Sequence, residues 1–570
     1  MTHVGPFAMT RGGNGIDRRA FLQQCATTAL SAALVRGARV VAAPRENAGE
    51  LLYNGIRLSA PWPPVQRSLS TTPILPAYLA DPPDVIPIDV GRQLFVDDFL
   101  IEENMLDRTY HAATYHAANP VLSPTKPWER FDEYAERTHT RSNPAAMPFS
   151  DGLFYDPHDR LFKMWYMGGY SQNVCYAVSG DGLTWEKPQL DVYPGTNITL
   201  KLVRDSSTVW LDPFDGDPRA RFKLAVSRDF TMQLSTSPDG VHWRSAGSTG
   251  WAKDRTTFFF NPFRNLWIFS IRDDEDATRV RRYWEARDFV RDVSWKEREP
   301  VLWVGADSHD PRRPEYNVPA QLYNLDCVAY ESVLIGLFTI WRGETTIREK
   351  PNDIVLGYSR DGFHFHRPDR RPFIPVSEHV GDWNWANVQS TGGVCTIVGD
   401  RLHFYVSGRR GVPGTNAPGV CSTGLATLRR DGFASLADPA PDAPARRTWP
   451  AAAGARSVTT RPVRFSGSYL FVNADARGGA VRVEVLDREG RIIAPFSAAN
   501  CRAVTADGTR LPVSWTGPSL AALAGQTVRF RFLVSRARLY AFWVSAGPAG
   551  TSRGYVAAGG PAFNGPVDSG

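Results

Sequence analysis

The stretch "SGDGLTWEKP" (179–188) returns in altered form as "TSPDGVHWRS" (236–245) and "YSRDGFHFHR" (358–367). A chain that repeats such a string must build the same local structure several times. Each copy follows two aromatic-rich runs joined by a turn, as in "GLFYDPHDRLFKMWYMGG" (152–169), "TVWLDPFDGDPRARFKLAV" (208–226) and "CVAYESVLIGLFTIWRG" (327–343). "TFFFNPFRNLWIFSIRD" (257–273) and "VCTIVGDRLHFYVSG" (394–408) complete the set. Apolar runs of this kind, alternating or continuous and bounded by turn residues, read as paired β-strands. The second string then follows at Asp181-Gly182, Asp239-Gly240, Asp288-Phe289, Asp361-Gly362 and Asp431-Gly432, with successive acids 49 to 73 residues apart. That spacing holds four antiparallel strands with loops of variable length, and helical periodicity is nearly absent. The fold class is therefore all-β, and five such units predict a five-bladed β-propeller over 90–436, in which radial repetition leaves only short, protected edges. Asp-Gly between two strands is a hairpin signal, the acid bonding turn amides and the glycine taking positive φ. Asp181, Asp239 and Asp361 are expected to be structural residues at the blade periphery.

In such a fold the first strand of each blade lines the central channel, so chemistry is expected at the starts of those strands. Counting seven residues back from the turn positions Asp212, Asn261 and Glu331 gives Asp205, Asp254 and Asn324. Three polar residues thus fall at equivalent points of successive units. Two long insertions precede inner strands and carry further candidates, since loops feeding a channel mouth commonly hold binding groups. The first (119–147) contains Trp128, Glu129, Glu136, Arg137 and His139; the second (307–324) contains Glu315 and Tyr316. Arg342, Trp383 and Trp385 supply a further cation and stacking faces.

The remaining chain divides by composition. Residues 1–43 contain five arginines against one acid, with Arg18-Arg19 ahead of Phe21-Leu22 and a run of small apolar residues. This reads as a twin-arginine export signal, which predicts a periplasmic or secreted protein. Removing that +4 from the formal +6 leaves about +2, no footprint for nucleic acid. No apolar run approaches the ~20 residues of a membrane span. Cys175, Cys327, Cys395, Cys421 and Cys501 are widely spaced, without the C-x-x-C pattern of a metal cage, and are expected as buried thiols. No metal ligand set and no cofactor is expected, although a structural cation in the channel is compatible with the fold. Residues 44–89 read as an N-terminal extension and the Ala/Pro-rich 437–456 as a linker. Short alternating strands over 457–547 predict a β-sandwich accessory domain, and 548–570 a flexible tail.

"LFVDDFLIE" (94–102), "NPVLSPTKPWE" (119–129), "FKMWYMGG" and "YAVSGDGLTWEKP" are similar to a family-32-like branch of exported bacterial glycosyl hydrolases, over residues 90 to 440. That branch is related to the invertase and arabinanase-like propellers. The resemblance implies three acids on successive inner strands: a nucleophile or base, a transition-state stabiliser and a proton donor. Asp205 and Asp254 match two of these positions, whereas the third is Asn324; the invertase "NDPNG", "RDP" and "EC" motifs are absent. On this resemblance Glu315 is the expected proton donor and Glu129 or Glu136 a first-blade carboxylate. Trp128, Arg137, His139, Tyr316, Asn324, Arg342, Trp383 and Trp385 are expected to hold sugar. The implied partner is a carbohydrate, and the implied reaction is hydrolysis of an oligo- or polysaccharide at a furanoside or terminal residue with paired carboxylates. The competing readings are a non-catalytic sugar-binding propeller and a polysaccharide lyase using a Tyr or His base.

Overall fold

The computed structural model describes residues 49–130, 143–316, 319–343, 348–438 and 456–570. Among the described residues the chain is all-β, with two four-residue α-helical segments, Ala77–Ala80 and Pro127–Arg130. Five antiparallel sheets follow one another along the sequence. The first comprises Ala146–Asp156, Leu161–Gly168, Gln172–Ser179 and Ile198–Val203; the second Ser207–Leu211, Phe222–Arg228, Thr231–Ser237 and Arg244–Ser248. The third comprises Thr257–Asn261, Leu266–Glu275, Thr278–Ala286 and Val301–Gly305. The fourth contains Gln321–Glu331, Val333–Trp341 and Asn352–Ser359. In the fifth, Asn387–Gln389 and Thr396–Val398 pair with Arg401–Arg409, which pairs with Cys421–Arg429. The N-terminal strand Thr114–Tyr115 completes that sheet.

The opening strands pack in sequence. Ala146–Asp156 lies against Ser207–Leu211, that strand against Thr257–Asn261, and that against Gln321–Glu331. Asn352–Ser359 then meets Asn387–Gln389, and Arg401–Arg409 returns to Ala146–Asp156. Inner strands are buried from end to end, which is why they read as continuous apolar runs rather than alternating ones.

The repeated string is a joint between neighbouring sheets. In three copies the acid (Asp181, Asp239, Asp361) accepts from the amides two and three residues on, and the serine two residues before it (Ser179, Ser237, Ser359) accepts from the glycine amide. An aromatic residue of the adjoining sheet then donates into the turn. Tyr405 Oη donates to the Gly182 carbonyl at 2.7 Å, Trp165 Nε1 to Gly240 at 2.7 Å and Trp303 Nε1 to Phe363 at 2.7 Å. Glycine is required at 182 and 240 on two counts: φ is +76° and +82°, and a Cβ would collide with Tyr405 or Trp165. The other copies diverge. Asp288 keeps the amide contacts without glycine after it, whereas Asp431 serves a buried ionic network.

A second core gathers two further sheets. One runs Asp507–Val513, Tyr469–Asp475, Arg538–Ser545, Ala434–Ala437 and Asp107–Tyr110, with Gln93–Leu94 on Arg538–Ser545; the other runs Ala480–Leu486, Arg529–Ser535, Arg456–Thr460 and Ile101–Asn104. The expected boundary at residue 90 is therefore corrected: residues 93–110 add strands to the C-terminal sheets, because edges left open there are paired by the N-terminal segment. Leu52, Ile56, Leu58 and Tyr78 of the 44–89 extension are buried in the same core. Most of the expected linker, 439–455, lies outside the described residues.

The expected flexible tail is also corrected. Tyr555–Val556 pairs with the end of Gln321–Glu331. The segment crosses the C-terminal ends of inner strands, Ala558 and Gly559 carbonyls accepting from Tyr155 and Ile397 amides and Ala557 N–H donating to the Ala329 carbonyl. Phe563 is buried against the main core. Backbone pairing and apolar burial outweigh the Gly- and Ala-rich composition that suggested freedom. The residues that precede the inner strands lie at the opposite end.

Arg92, Glu331, Arg430 and Asp431 tie the two cores together. Arg92 reaches Asp431 at 2.8 Å and Glu331 at 3.4 Å, Arg430 reaches Glu331 at 3.0 Å, and Ser552 of the tail donates to Glu331 at 2.6 Å. All five described mature-region cysteines are buried.

Candidate active site

The residues at the starts of these strands are polar. On the fourth sheet the buried Asn324 donates from Nδ2 to Asp326 (2.8 Å), Ser390 (3.1 Å) and Ser150 (3.3 Å), while Ser150 and Ser390 both donate to Asp326 Oδ2. Residues from the first, fourth and fifth sheets thus meet around one carboxylate. Burial raises the Asp326 pKa, and the hydroxyls with Arg255 and Arg281 oppose it. Among the described residues no group of three or more His, Cys, Asp and Glu converges as a metal cage.

Above this floor lie Asp205 and Asp254. Asp205 begins the second sheet beside Arg204, which is locked on Asp151 by two bonds of 2.8 and 2.5 Å. Its Oδ1 is buried and has no hydrogen-bond partner. Burial raises the Asp205 pKa first and the Asp254 charge second, against the pull of Arg255, Lys350 and Arg409. The two expected acids therefore face one electrostatic environment. Asp254 is held by Arg272 at 2.6 Å, an arginine that also touches Asp274 at 3.2 Å, and about a third of its side chain is exposed. Burial and the neighbouring Asp254 charge thus both raise the Asp205 pKa, while Asp254 is partly exposed and paired with Arg272.

Several polar atoms of the first, third, fourth and fifth sheets and their loops are buried without partners. Arg409 Nη1 binds Glu349 Oε1 at 2.7 Å and Tyr170 at 3.2 Å, leaving Glu349 Oε2 and Arg409 Nε buried without partners. Arg255 sits 3.9 Å over the Phe149 ring and donates to Phe149 O and Ser150. Gln389 Oε1, Asn324 Oδ1 and Trp341 Nε1 are likewise buried and unpartnered. Native interiors leave few such atoms unless a ligand or water meets them.

The other expected residues sit differently. Glu129 is fully buried and occupied: it accepts from the Thr125 and Lys126 amides, from Tyr166 at 2.6 Å and from Lys187 at 2.8 Å. No oxygen remains for a substrate, so a catalytic Glu129 is corrected to a structural one that pins the insertion to the first sheet. Trp128 donates to Asn197 at 2.9 Å and packs in the same cluster. Trp383 lies on Gly408 and Gly424, where no side chain larger than hydrogen fits, and is a packing residue. Arg342 is buried on Asp353 at 3.2 Å. Trp385 is buried under Arg348, 5.3 Å from its ring. Glu315, in the 3-10 turn Pro314–Tyr316, is exposed and faces Arg313 at 3.4 Å; Tyr316 is half-buried in that turn. Glu136, Arg137 and His139 lie outside the described residues. Sequence reasoning missed Arg255, Glu349, Lys350 and Arg409. Arg255 adjoins Asp254, and that adjacency was the available signal; the others arrive from loops and strands with no shared register.

No protein-family model matches the chain, and no curated protein matches it in sequence. Among solved structures it is similar to a thermostable family-43 glycoside hydrolase at 11% identity, covering 55% of this chain and 98% of that one, with a TM-score of 0.37. It is also similar to a fructofuranosidase from Schwanniomyces occidentalis complexed with fructosylnystose (11% identity, 77% and 99% covered, TM-score 0.33). An N-acetylgalactosamine deacetylase from F. plautii in complex with blood group B trisaccharide gives 12% identity, 55% and 97% covered and a TM-score of 0.36.

Proposed function

We propose that this chain is a glycoside hydrolase of a carbohydrate oligomer or polymer, its five sheets the blades of a β-propeller and its C-terminal sheets an accessory sandwich. The observation that supports this reading most is the Asp205–Asp254 pair at the strand starts. In this reading Asp205 gives a proton to the leaving glycosidic oxygen as the C–O bond breaks. Asp254, held by Arg272, takes a proton from water as that water attacks the anomeric carbon, or attacks the carbon itself and is released by water. Either route consumes one water per bond. In this reading Asp205 replaces Glu315 as proton donor, and Asn324 with Gln389 offers hydrogen bonds to sugar hydroxyls. The basic leader at 1–43 would export the chain to the periplasm or beyond. Screening on arabinan, fructan and mannan with the parent, Asp205→Asn and Asp254→Asn tests the proposal. Release of reducing sugar by the parent alone is expected; sugar binding without release by any form refutes hydrolysis and leaves a binding propeller.

A further inference from the structure

The hairpin Leu266–Glu275 and Thr278–Ala286 carries Arg272 opposite Arg281 and Asp274 opposite Arg279. Directly opposed residues of a β-ladder share one face, as do alternate residues along a strand, so all four side chains lie on one side of the sheet. Arg272 fixes that side, because it reaches Asp254. The three arginines on this face are treated differently. Arg272 is paired with Asp254 and Asp274, and Arg281 donates to the carbonyls of Arg255 and Tyr323. Arg279 has no acid within ion-pair distance among the described residues. Its guanidinium lies instead beside two nearly perpendicular rings, 4.9 Å from the Tyr323 centroid and 5.1 Å from that of Trp341.

Contact with aromatic rings holds a guanidinium in place without using its N–H groups as hydrogen-bond donors. Here Arg279 Nη1 is buried without a partner, and so is Nε1 of Trp341, one of those two rings. Two buried donors with no acceptor do not suit a sugar hydroxyl alone, which both donates and accepts. They suit an acceptor-only oxyanion, for which arginine is the preferred partner. Tyr323 ties the place to the two acids, since Arg255, which acts on Asp205, lies 5.4 Å from the centroid of the same ring.

We infer that an oxyanion subsite is built on Arg279 and Trp341, so that the substrate is an acidic saccharide whose carboxylate lies beside the bond being cleaved. This deepens the hydrolase reading and rests on its placing of Asp205 and Asp254. The same donors can take free inorganic phosphate, and the test separates the two sources. Calorimetry on the full chain, which requires no turnover, compares trigalacturonate, neutral galactotriose and inorganic phosphate, for the parent, Arg279→Gln and Trp341→Phe. With a charge-assisted bond at stake, the parent is expected to bind the acidic trisaccharide about tenfold tighter than the neutral one. Arg279→Gln should abolish that preference, and Trp341→Phe, which keeps the ring and removes the donor, should weaken it severalfold. Phosphate binding that disappears in Arg279→Gln, with no preference between saccharides, assigns the subsite to free phosphate. Equal binding of all probes by the parent and both variants overturns the inference. Acidic-sugar binding without cleavage leaves it standing while the hydrolase reading falls; cleavage of neutral sugars with no preference and no phosphate binding does the reverse.

Discussion

Asp205→Asn should cost activity and add stability at the same time. The amide matches the carboxyl in size but cannot donate the proton that the leaving oxygen needs. Loss of a positioned general acid is expected to lower turnover by about 10²- to 10⁴-fold, equivalent to about 3–5 kcal/mol of barrier. The folded state gains because Asp205 is an unfavourable charge: it is buried, one oxygen lacks a partner, and Asp254 repels it. The nearby Arg255, Lys350 and Arg409 offset part of that cost, so the net gain is about 1 kcal/mol, the low end for relieving an unsatisfied buried polar group, or about 1–2 °C in Tm for a chain of this length. The sign has a pH signature. A carboxyl whose folded pKa lies above its unfolded value carries no penalty at pH below the unfolded value, a growing one as pH rises past it, and the full one above the folded value. Thermal unfolding of parent and variant across a pH series should therefore show curves that coincide in acid and separate toward neutrality, the variant higher. A variant that retains full turnover, or one less stable at every pH, would refute the reasoning.

Asp181→Ala is the matched control. Partial burial opposes ionisation of Asp181, but the Thr184 and Leu183 amides and the Ser179 hydroxyl bring its pKa down to about 2. For so exposed a group the loss is about 1 kcal/mol after solvent screening; it should be seen above the unfolded pKa, fade as pH falls through about 2, and leave kcat unchanged. Glu331→Gln removes a charge shared by Arg92 and Arg430 inside the junction and should cost about 3 kcal/mol, read as a lowered Tm with both cores affected. Gly240→Ala forces a Cβ onto Trp165 at φ +82° and should cost about 2 kcal/mol or more, with near-ultraviolet dichroism reporting the displaced indole. In Asp254→Asn the repulsion on Asp205 is gone, so the Asp205 carboxyl should titrate at lower pH than in the parent, observable by carbon NMR.

Local chemistry was readable wherever a few adjacent residues suffice. The Ser-x-Asp-Gly turns follow from the serine hydroxyl, the acid and the glycine alone, and the aromatic pairs announce their strands. Counting from turn to inner strand also located Asp205, Asp254 and Asn324, because β-geometry fixes how many residues separate a turn from the strand start. Charged residues within the insertions were less informative: nothing in "TKPWER" distinguishes Glu129, whose oxygens are consumed by amides, Tyr166 and Lys187, from an acid aimed at a substrate.

Through periodicity and turn chemistry, which act over a few residues, the sequence by itself determined an all-β chain of repeated antiparallel units and the two acids at its strand starts. Tertiary structure alone decided what those acids face. Arg255, Lys350 and Arg409 reach Asp205 from three different sheets or their loops, Arg279 meets its two rings across sheets, and residues 93–110 and 554–563 find strand edges and strand ends hundreds of residues away. Burial, and with it the protonation of a carboxyl, depends on every element packed around a point, and no local stretch of sequence contains that sum.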